Sequence, residues 1–397
     1  MKAHYLLGTK MKNKWVLYIF LASLLIFLLF SGICSYMNTY SDSWQADVFV
    51  GVDAAYDNIA SIKSRVDEVK SYTNFFVIGS TGITLNVAKL NDVCQYLNDS
   101  GLHFATYTHT TRNASLTIQF NQSEWTNYAR QRWNNRFLEL YAYDEPGGHQ
   151  IDHDDPYMVA PKADNYSDAA NKYVGKLSDV LSEFQSLNSP LMTSDYALYE
   201  FDYRAGYDLV LAEYAWNHSK PLNTALCRGA ATMHGKDWGV MITYKYDNPP
   251  YLASGPEIYN DMVTAYQNGA KYIVLFDYAK DPATSAAHGI LQQEHLEALK
   301  QFWQYTKDHS RPHNEVDDRV AYVLPENYGY GFRGTNDSLW GLWGADALSN
   351  KIWRDVTIFA ELYKPQLDII YEDSLRNSSW NYSKLIFWNG TVLANNS

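Results

Sequence analysis

Short apolar runs separated by amphipathic stretches occupy most of the chain after its first fifty residues. The runs have strand length and are rich in Val, Ile, Leu, Phe and Tyr, and the stretches between them repeat apolar positions every three to four residues, as helices do. The strand candidates are VFVGVDAAY from Val48, FFVIGS from Phe75, HFATYTHT from His103, FLELYAYDEP from Phe137, PLMTSDY from Pro190, LVLAEYAW from Leu209, GVMITYKYD from Gly239 and YIVLFDYAKD from Tyr272. Helical candidates include NIASIKSRVDEVKSY, NVAKLNDVCQYLNDSG and SGPEIYNDMVTAYQNG, the last with Ser254 as cap, Pro256 near its start and Gly269 at its exit. Eight such units in succession predict a (β/α)8 TIM barrel over residues 46–310, with parallel strands around a packed centre. A doubly wound open sheet is disfavoured because no Gly-x-Gly-x-x-Gly loop follows the first strand.

After the eighth helix a polar connector, HSRPHNEVDD, leads to a second pattern. The strand RVAYVLP, the helix NKIWRDVTIFAELY and the strands LDIIYED and YSKLIFWNG predict a small α/β accessory domain over residues 318–397, flavodoxin-like and incomplete.

The amino terminus has a different character. Residues 15–34, WVLYIFLASLLIFLLFSGIC, are uncharged and reach the length of roughly 20 residues that a helix needs to cross a bilayer. Lys2, Lys10, Lys12 and Lys14 precede the run, which predicts a cytoplasmic basic segment at 1–14, a transmembrane signal anchor at 15–34 and the body outside the cell. The junction SGICS also allows a cleaved, secreted form. Ten Asn-x-Ser/Thr sequons fit a glycoprotein exported in this way. Of three cysteines, Cys34 lies at the membrane end, and Cys94 and Cys227 are expected to be buried free thiols.

Charge narrows the partners. With 32 basic and 44 acidic residues the net charge is -12, which repels phosphate backbones and argues against nucleic acid. The 33 Tyr and 12 Trp offer flat faces with polar edges, which suit sugar rings as well as a large core. No Gly-x-Ser-x-Gly elbow or Walker-type loop points to other chemistry, and no cofactor is implied.

In a TIM barrel the residues at the carboxyl ends of the strands reach the open mouth. Here they are Asp53, Ser80, Tyr107 with His109, Asp144 with Glu145, Asp195 with Tyr196, Glu213 with Trp216, then Tyr244, Lys245 and Tyr246, and Asp277. Converging carboxylates raise one another's pKa, and a glycosidase needs two acids in unequal environments. Adjacent residues on a strand face opposite ways, so Asp144 and Glu145 can both reach the mouth only if the strand bends; Pro146 and Gly147 allow that, and Pro146 favours an extended Glu145. Glu145 is then the expected proton donor, with Asp144 beside it.

Glu213 is the alternative second carboxylate, although it can equally be a buried acid paired with Lys245. Asp277 and Asp195 are runners-up for that role and Asp53 is expected to meet a sugar hydroxyl; all three are expected in the substrate site, with Tyr107, His109, Trp216, Tyr244, Lys245 and Tyr246 completing a groove. The polar loop carrying His149, Asp152, His153, Asp154 and Asp155 meets no familiar metal spacing, so it reads as a solvated lid and no metal is expected.

YAYDEPGG resembles the fourth-strand Asp-Glu signature of barrel hexosaminidases and related glycoside-hydrolase-like proteins. The resemblance implies that Asp144 orients a 2-acetamido group to attack the anomeric carbon and that Glu145 is general acid, then base. A barrel followed by a flavodoxin-like domain is also similar to family 42 β-galactosidases, but those carry Asn-Glu on strand four and a Glu on strand seven, where VMITYKYD has none. The expectation is an extracellular, membrane-anchored glycoside hydrolase acting on a polysaccharide or glycan. The competing expectation is a cell-envelope carbohydrate-binding or scaffold protein that keeps the barrel without chemistry.

Overall fold

The computed structural model describes residues 48–56, 58–108, 121–185, 187, 189–278, 289–311, 318–376 and 382–394. From Phe49 onward they form one compact unit. Strands β1 (Phe49–Ala55), β2 (Phe75–Ile78), β3 (His103–Thr108), β4 (Phe137–Ala142), β5 (Leu191–Asp195), β6 (Leu209–Tyr214), β7 (Asp237–Ile242) and β8 (Tyr272–Tyr278) close into a barrel in chain order. Closure is parallel, with β8 returning to β1 from Phe49↔Tyr272 to Ala55↔Tyr278. Every predicted strand is present, because runs buried on both faces carry enough apolar and β-branched surface to mark themselves.

The helices in order are α1 (Ile59–Val69), the short α2 (Thr81–Thr84), α3 (Val87–Asp99), α4 (Gln122–Trp133), α5 (Pro146–Ile151), α6 (Tyr166–Gln185), α7 (Tyr199–Ala205), α8 (Lys220–His234), α9 (Gly255–Gln267) and α10 (Gln293–Asp308). Asn58, Asn86 and Asn121 cap α1, α3 and α4 by accepting backbone N–H groups. Ser254 stands at the start of α9 but makes no capping bond; Glu294 accepts from Gly255 N–H at 2.8 Å instead.

Alternation along the strands decides what each acid faces. Phe49, Met192, Leu209, Leu211 and Val274 belong to the cluster that fills the barrel. Asp53, Ser194 and Glu213 share their face and therefore point inward at the top layer, whereas Asp195 and Asp277 fall on the alternate, helix-facing parity.

The carboxy-terminal part forms a second sheet from β9 (Val320–Leu324), β10 (Leu367–Tyr371), β11 (Lys384–Phe387) and β12 (Val392–Ala394), with helices α11 (Ala347–Tyr363) and α12 (Glu372–Leu375). The strand order is β10-β9-β11-β12; the first three are parallel and β12 is antiparallel. The order second-first-third is the one with which flavodoxin-like sheets begin. Helix α8 joins this sheet to the barrel: Arg228 Nε meets the buried Asp368 at 2.7 Å, and Arg319 meets its other oxygen at 2.6 Å. A Cβ on Gly229 would lie 2.4 Å from the Ile369 carbonyl, so the helix needs glycine to approach so closely.

Cys94 and Cys227 are buried and free. Among the described residues no helix is long and apolar enough to cross a membrane, and segments 1–14 and 15–34 lie outside them.

Candidate active site

The end of β4 bends through two left-handed residues, Tyr143 (φ 55°) and Glu145 (φ 47°). Proline does bar Glu145 from the right-handed region, but the residue goes left-handed rather than extended. Its N–H donates to the Ser194 carbonyl at 3.2 Å, and its own carbonyl accepts from His149 N–H at 2.9 Å. The expected polar loop accordingly begins as helix α5, opening with Pro146 at its first turn. This bend brings the side chains of Asp144 and Glu145 to the same mouth.

Around them lies a connected set of polar groups. The Tyr141 hydroxyl donates to Asp144 Oδ1, and its oxygen lies 2.8 Å from Ser194 Oγ. Ser194 Oγ donates to Glu213 Oε1 at 2.6 Å. Glu145 hydrogen-bonds to Glu213, closing the series at the other end. Burial, followed by the negative charges of Glu213 and Asp144, holds the Glu145 proton well above the usual carboxyl range. Burial likewise raises Glu213, with the Ser194 hydrogen bond opposing. Asp144 is open to solvent at the mouth, yet the protein enclosing its other sides raises it too, while Tyr141 and then His149 oppose the shift.

Asp53 stands on the inward face of β1, only 2 % exposed, and its Oδ1 has no hydrogen-bond partner. Burial raises its pKa well above normal, helped by the charges of Asp144 and Asp277. Tyr107 packs edge-on against Tyr141 at 5.3 Å between ring centres and feels the Asp144 charge. Trp216 is half-buried and edge-on to Tyr196 at 5.6 Å, and its backbone N–H donates to the Tyr244 carbonyl at 2.6 Å. Tyr244 is half-buried beside Tyr251 and Phe276.

Other expected contacts are turned elsewhere. Asp195 is fully buried and accepts from the N–H groups of Gly147 at 2.5 Å, Gly148 at 2.8 Å, Tyr196 at 2.7 Å and Ala197 at 3.1 Å. It anchors the start of α5 and meets no open space. Asp277 is also fully buried, paired with Arg65 Nε of α1 at 2.9 Å and accepting from the Tyr56 hydroxyl and from Leu291 N–H. Lys245 does not pair with Glu213; it reaches Glu257 on α9 at 2.6 Å, since β7 ends at Ile242 and the chain has left the barrel wall. Tyr246 is 44 % exposed beside Lys245. His109 lies outside the described residues.

The acidic segment after α5 is spoken for: His149 pairs with Asp155 at 2.8 Å, and Asp152 takes the Tyr196 hydroxyl at 2.8 Å together with Arg333. Arg333 belongs to the connection between β9 and α11, which also covers α5 through Gln150 Nε2 to the Trp340 carbonyl at 2.7 Å and Ser338 Oγ to the Ile151 carbonyl at 2.9 Å. The support that this segment gives the acid-bearing turn, and the roles of Tyr141 and Ser194, were missed by the sequence reading. For the last two a signal existed: Tyr141 is an aromatic of the barrel-filling cluster itself, and Ser194 shares the inward parity of Met192.

No protein-family model matches the chain, and no curated protein matches it in sequence. Structure is more informative. A GH5 glycoside hydrolase from Streptomyces cattleya, solved in complex with Manβ1-4GlcNAc, superposes with a TM-score of 0.56 over 86% of this chain and 99% of its own, at 10% identity. The chain shares that hydrolase's barrel fold. The pneumococcal virulence factor StrH, described for N-glycan recognition and hydrolysis, gives a TM-score of 0.43 at 8% identity over 66% of this chain and 84% of its own. A GH99 endo-α-mannosidase from Bacteroides thetaiotaomicron gives 0.39 at 10% identity over 64% and 80%.

Proposed function

We propose that the protein is a glycoside hydrolase whose general acid is Glu145, acting on a polysaccharide or glycan from the cell surface, where residues 15–34 anchor it. One observation carries the reading: at the mouth of a (β/α)8 barrel, Glu145 sits against Glu213 and beside Asp144 in surroundings that keep it protonated at neutral pH. A leaving-group oxygen needs such a donor, and a neighbouring carboxylate stabilises the positive charge that grows at the anomeric carbon.

Glu213 is buried and tied to Ser194 and Glu145, whereas Asp144 reaches solvent at the mouth, which favours Asp144 as the second group. This fits the substrate-assisted route implied by the resemblance to hexosaminidases, in which Asp144 orients a 2-acetamido group. Asp53 is buried beneath the mouth and bears on Asp144 through its charge, and Tyr107, Trp216 and Tyr244 line the groove.

Reducing-end release from a panel of polysaccharides and N-acetylhexosamine oligosaccharides tests the proposal. Turnover by the wild type that Glu145→Gln abolishes supports it; binding without turnover of any glycan supports the scaffold reading instead.

A further inference from the structure

The segment that joins the two acids holds fewer hydrogens than its contacts require. Three oxygen-to-oxygen contacts run from Asp144 through Tyr141 and Ser194 to Glu213, and the two hydroxyls supply only two hydrogens. If Tyr141 donates to Asp144 and Ser194 to Glu213, no hydrogen remains for the 2.8 Å contact between the hydroxyl oxygens. The third must come from a carboxyl. The Glu145 contact with Glu213 needs one more, and the buried Oε2 of Glu213 has no hydroxyl or N–H donor. Satisfying the whole series leaves two protons on three carboxyls and one negative charge among them.

We infer that Tyr141 and Ser194 form a proton relay between Asp144 and Glu213 that decides which carboxyl of the mouth is ionised; the inference deepens, and rests on, the reading of this mouth as a glycan-cleaving site. In one state Glu145 donates to Glu213, Glu213 to Ser194, Ser194 to Tyr141 and Tyr141 to Asp144, and the charge is on Asp144. In the other, Asp144 donates to Tyr141, Tyr141 to Ser194, and Ser194 and Glu145 both donate to Glu213, which carries the charge. Conversion moves one proton across each of the three contacts and needs no outside donor. The first state is the one an assisted cleavage requires, with an ionised Asp144 beside a protonated Glu145. Both hydroxyls are positioning residues, acting through the carboxyls and not on the sugar.

The charged and titratable groups around the series agree with this. Asp144 feels the charge of His149 from α5 and acts on Asp53 from β1 and Tyr107 from β3, and Glu213 feels the charge of Asp195 from β5. Ser194 also faces Asp144 directly, so both hydroxyls stand between the two acids.

Infrared difference titration of the unliganded full chain, reading the C=O stretch of protonated carboxyls at neutral pH, tests the relay without a substrate. Wild type and Ser194→Thr, which keeps the hydroxyl, are expected to hold both network protons. Ser194→Ala and the near-isosteric Tyr141→Phe cut the series, and each removes a donor that holds Glu213 or Asp144 down, so each is expected to raise the protonated-carboxyl intensity above the wild type. Equal protonated-carboxyl intensity in wild type and both cut variants overturns the relay. Should Ser194→Ala fail to fold, Tyr141→Phe decides alone. A protein with no glycoside turnover can still pass this measurement, and an active hydrolase can fail it, so the two proposals stand or fall separately.

Discussion

The carboxyl groups of Glu145 and Glu213 are hydrogen-bonded to each other although they come from different strand ends, so at least one of them is protonated. Glu213 raises Glu145, whereas the hydrogen bond from Glu145 lowers Glu213, so the proton rests on Glu145. Glu213→Gln removes a negative charge that holds the Glu145 proton in place. Because a general acid is lost as pH rises through its pKa, the basic limb of the pH profile of kcat/KM should move to lower pH in this variant. An unmoved or upward-moved limb would contradict the coupling.

Arg65 and Asp277 form a buried pair behind the barrel wall, with the Tyr56 hydroxyl completing it. Asp277→Asn removes the fully buried partner of Arg65, which keeps its 2.6 Å pair with the more exposed Glu68, and denaturant unfolding should show a loss of about 3 kcal/mol. Adding Arg65→Met should recover much of it, because the buried charge is then gone. Equal losses in the single and double variants would show that the pair is not what costs stability.

That pair also marks how far the sequence can be read. The eight strands declare themselves because each is a short apolar run, and the meeting of Asp144 with Glu145 follows from the bend that Pro146 makes possible. Asp195 and Asp277 were legible too, had alternation been applied: each is one residue past an inward position, Ser194 and Phe276, and so faces the helices. Lys245 lies beyond the end of β7, where alternation no longer constrains direction, and its partner Glu257 is set by the packing of α9. Helix α5 was hidden by Gly147 and Gly148, which suggest a turn. Both glycines serve close packing instead, since a Cβ would meet the Ala197 carbonyl at 2.3 Å or the Tyr196 ring at 2.2 Å.

Glu139 offers a test of buried charge away from the mouth. It shares the inward parity of Tyr141 lower in the barrel and accepts from the Tyr272 hydroxyl at 2.7 Å. Burial pushes its pKa from 4.5 to about 7. A folded-state pKa above the unfolded one gives stability that is fully present below about 4.5 and lost as pH rises through about 7. The interval corresponds to roughly 3 kcal/mol. Glu139→Gln should therefore gain on wild type as pH rises from 5 to 8 by about that amount. A gap between the two that does not change with pH would refute the assignment.

If Glu145 gives a proton to the departing oxygen, the cost of losing it depends on the leaving group. The measurement is kcat/KM, which reports the bond-breaking step alone, for Glu145→Gln against wild type on two substrates with the same glycone, one with a sugar leaving group and one with a dinitrophenyl group that needs no protonation. A fall of about 10²–10⁴-fold is expected on the sugar leaving group and little change on the dinitrophenyl glycoside. An equal fall on both, or none on either, would contradict it.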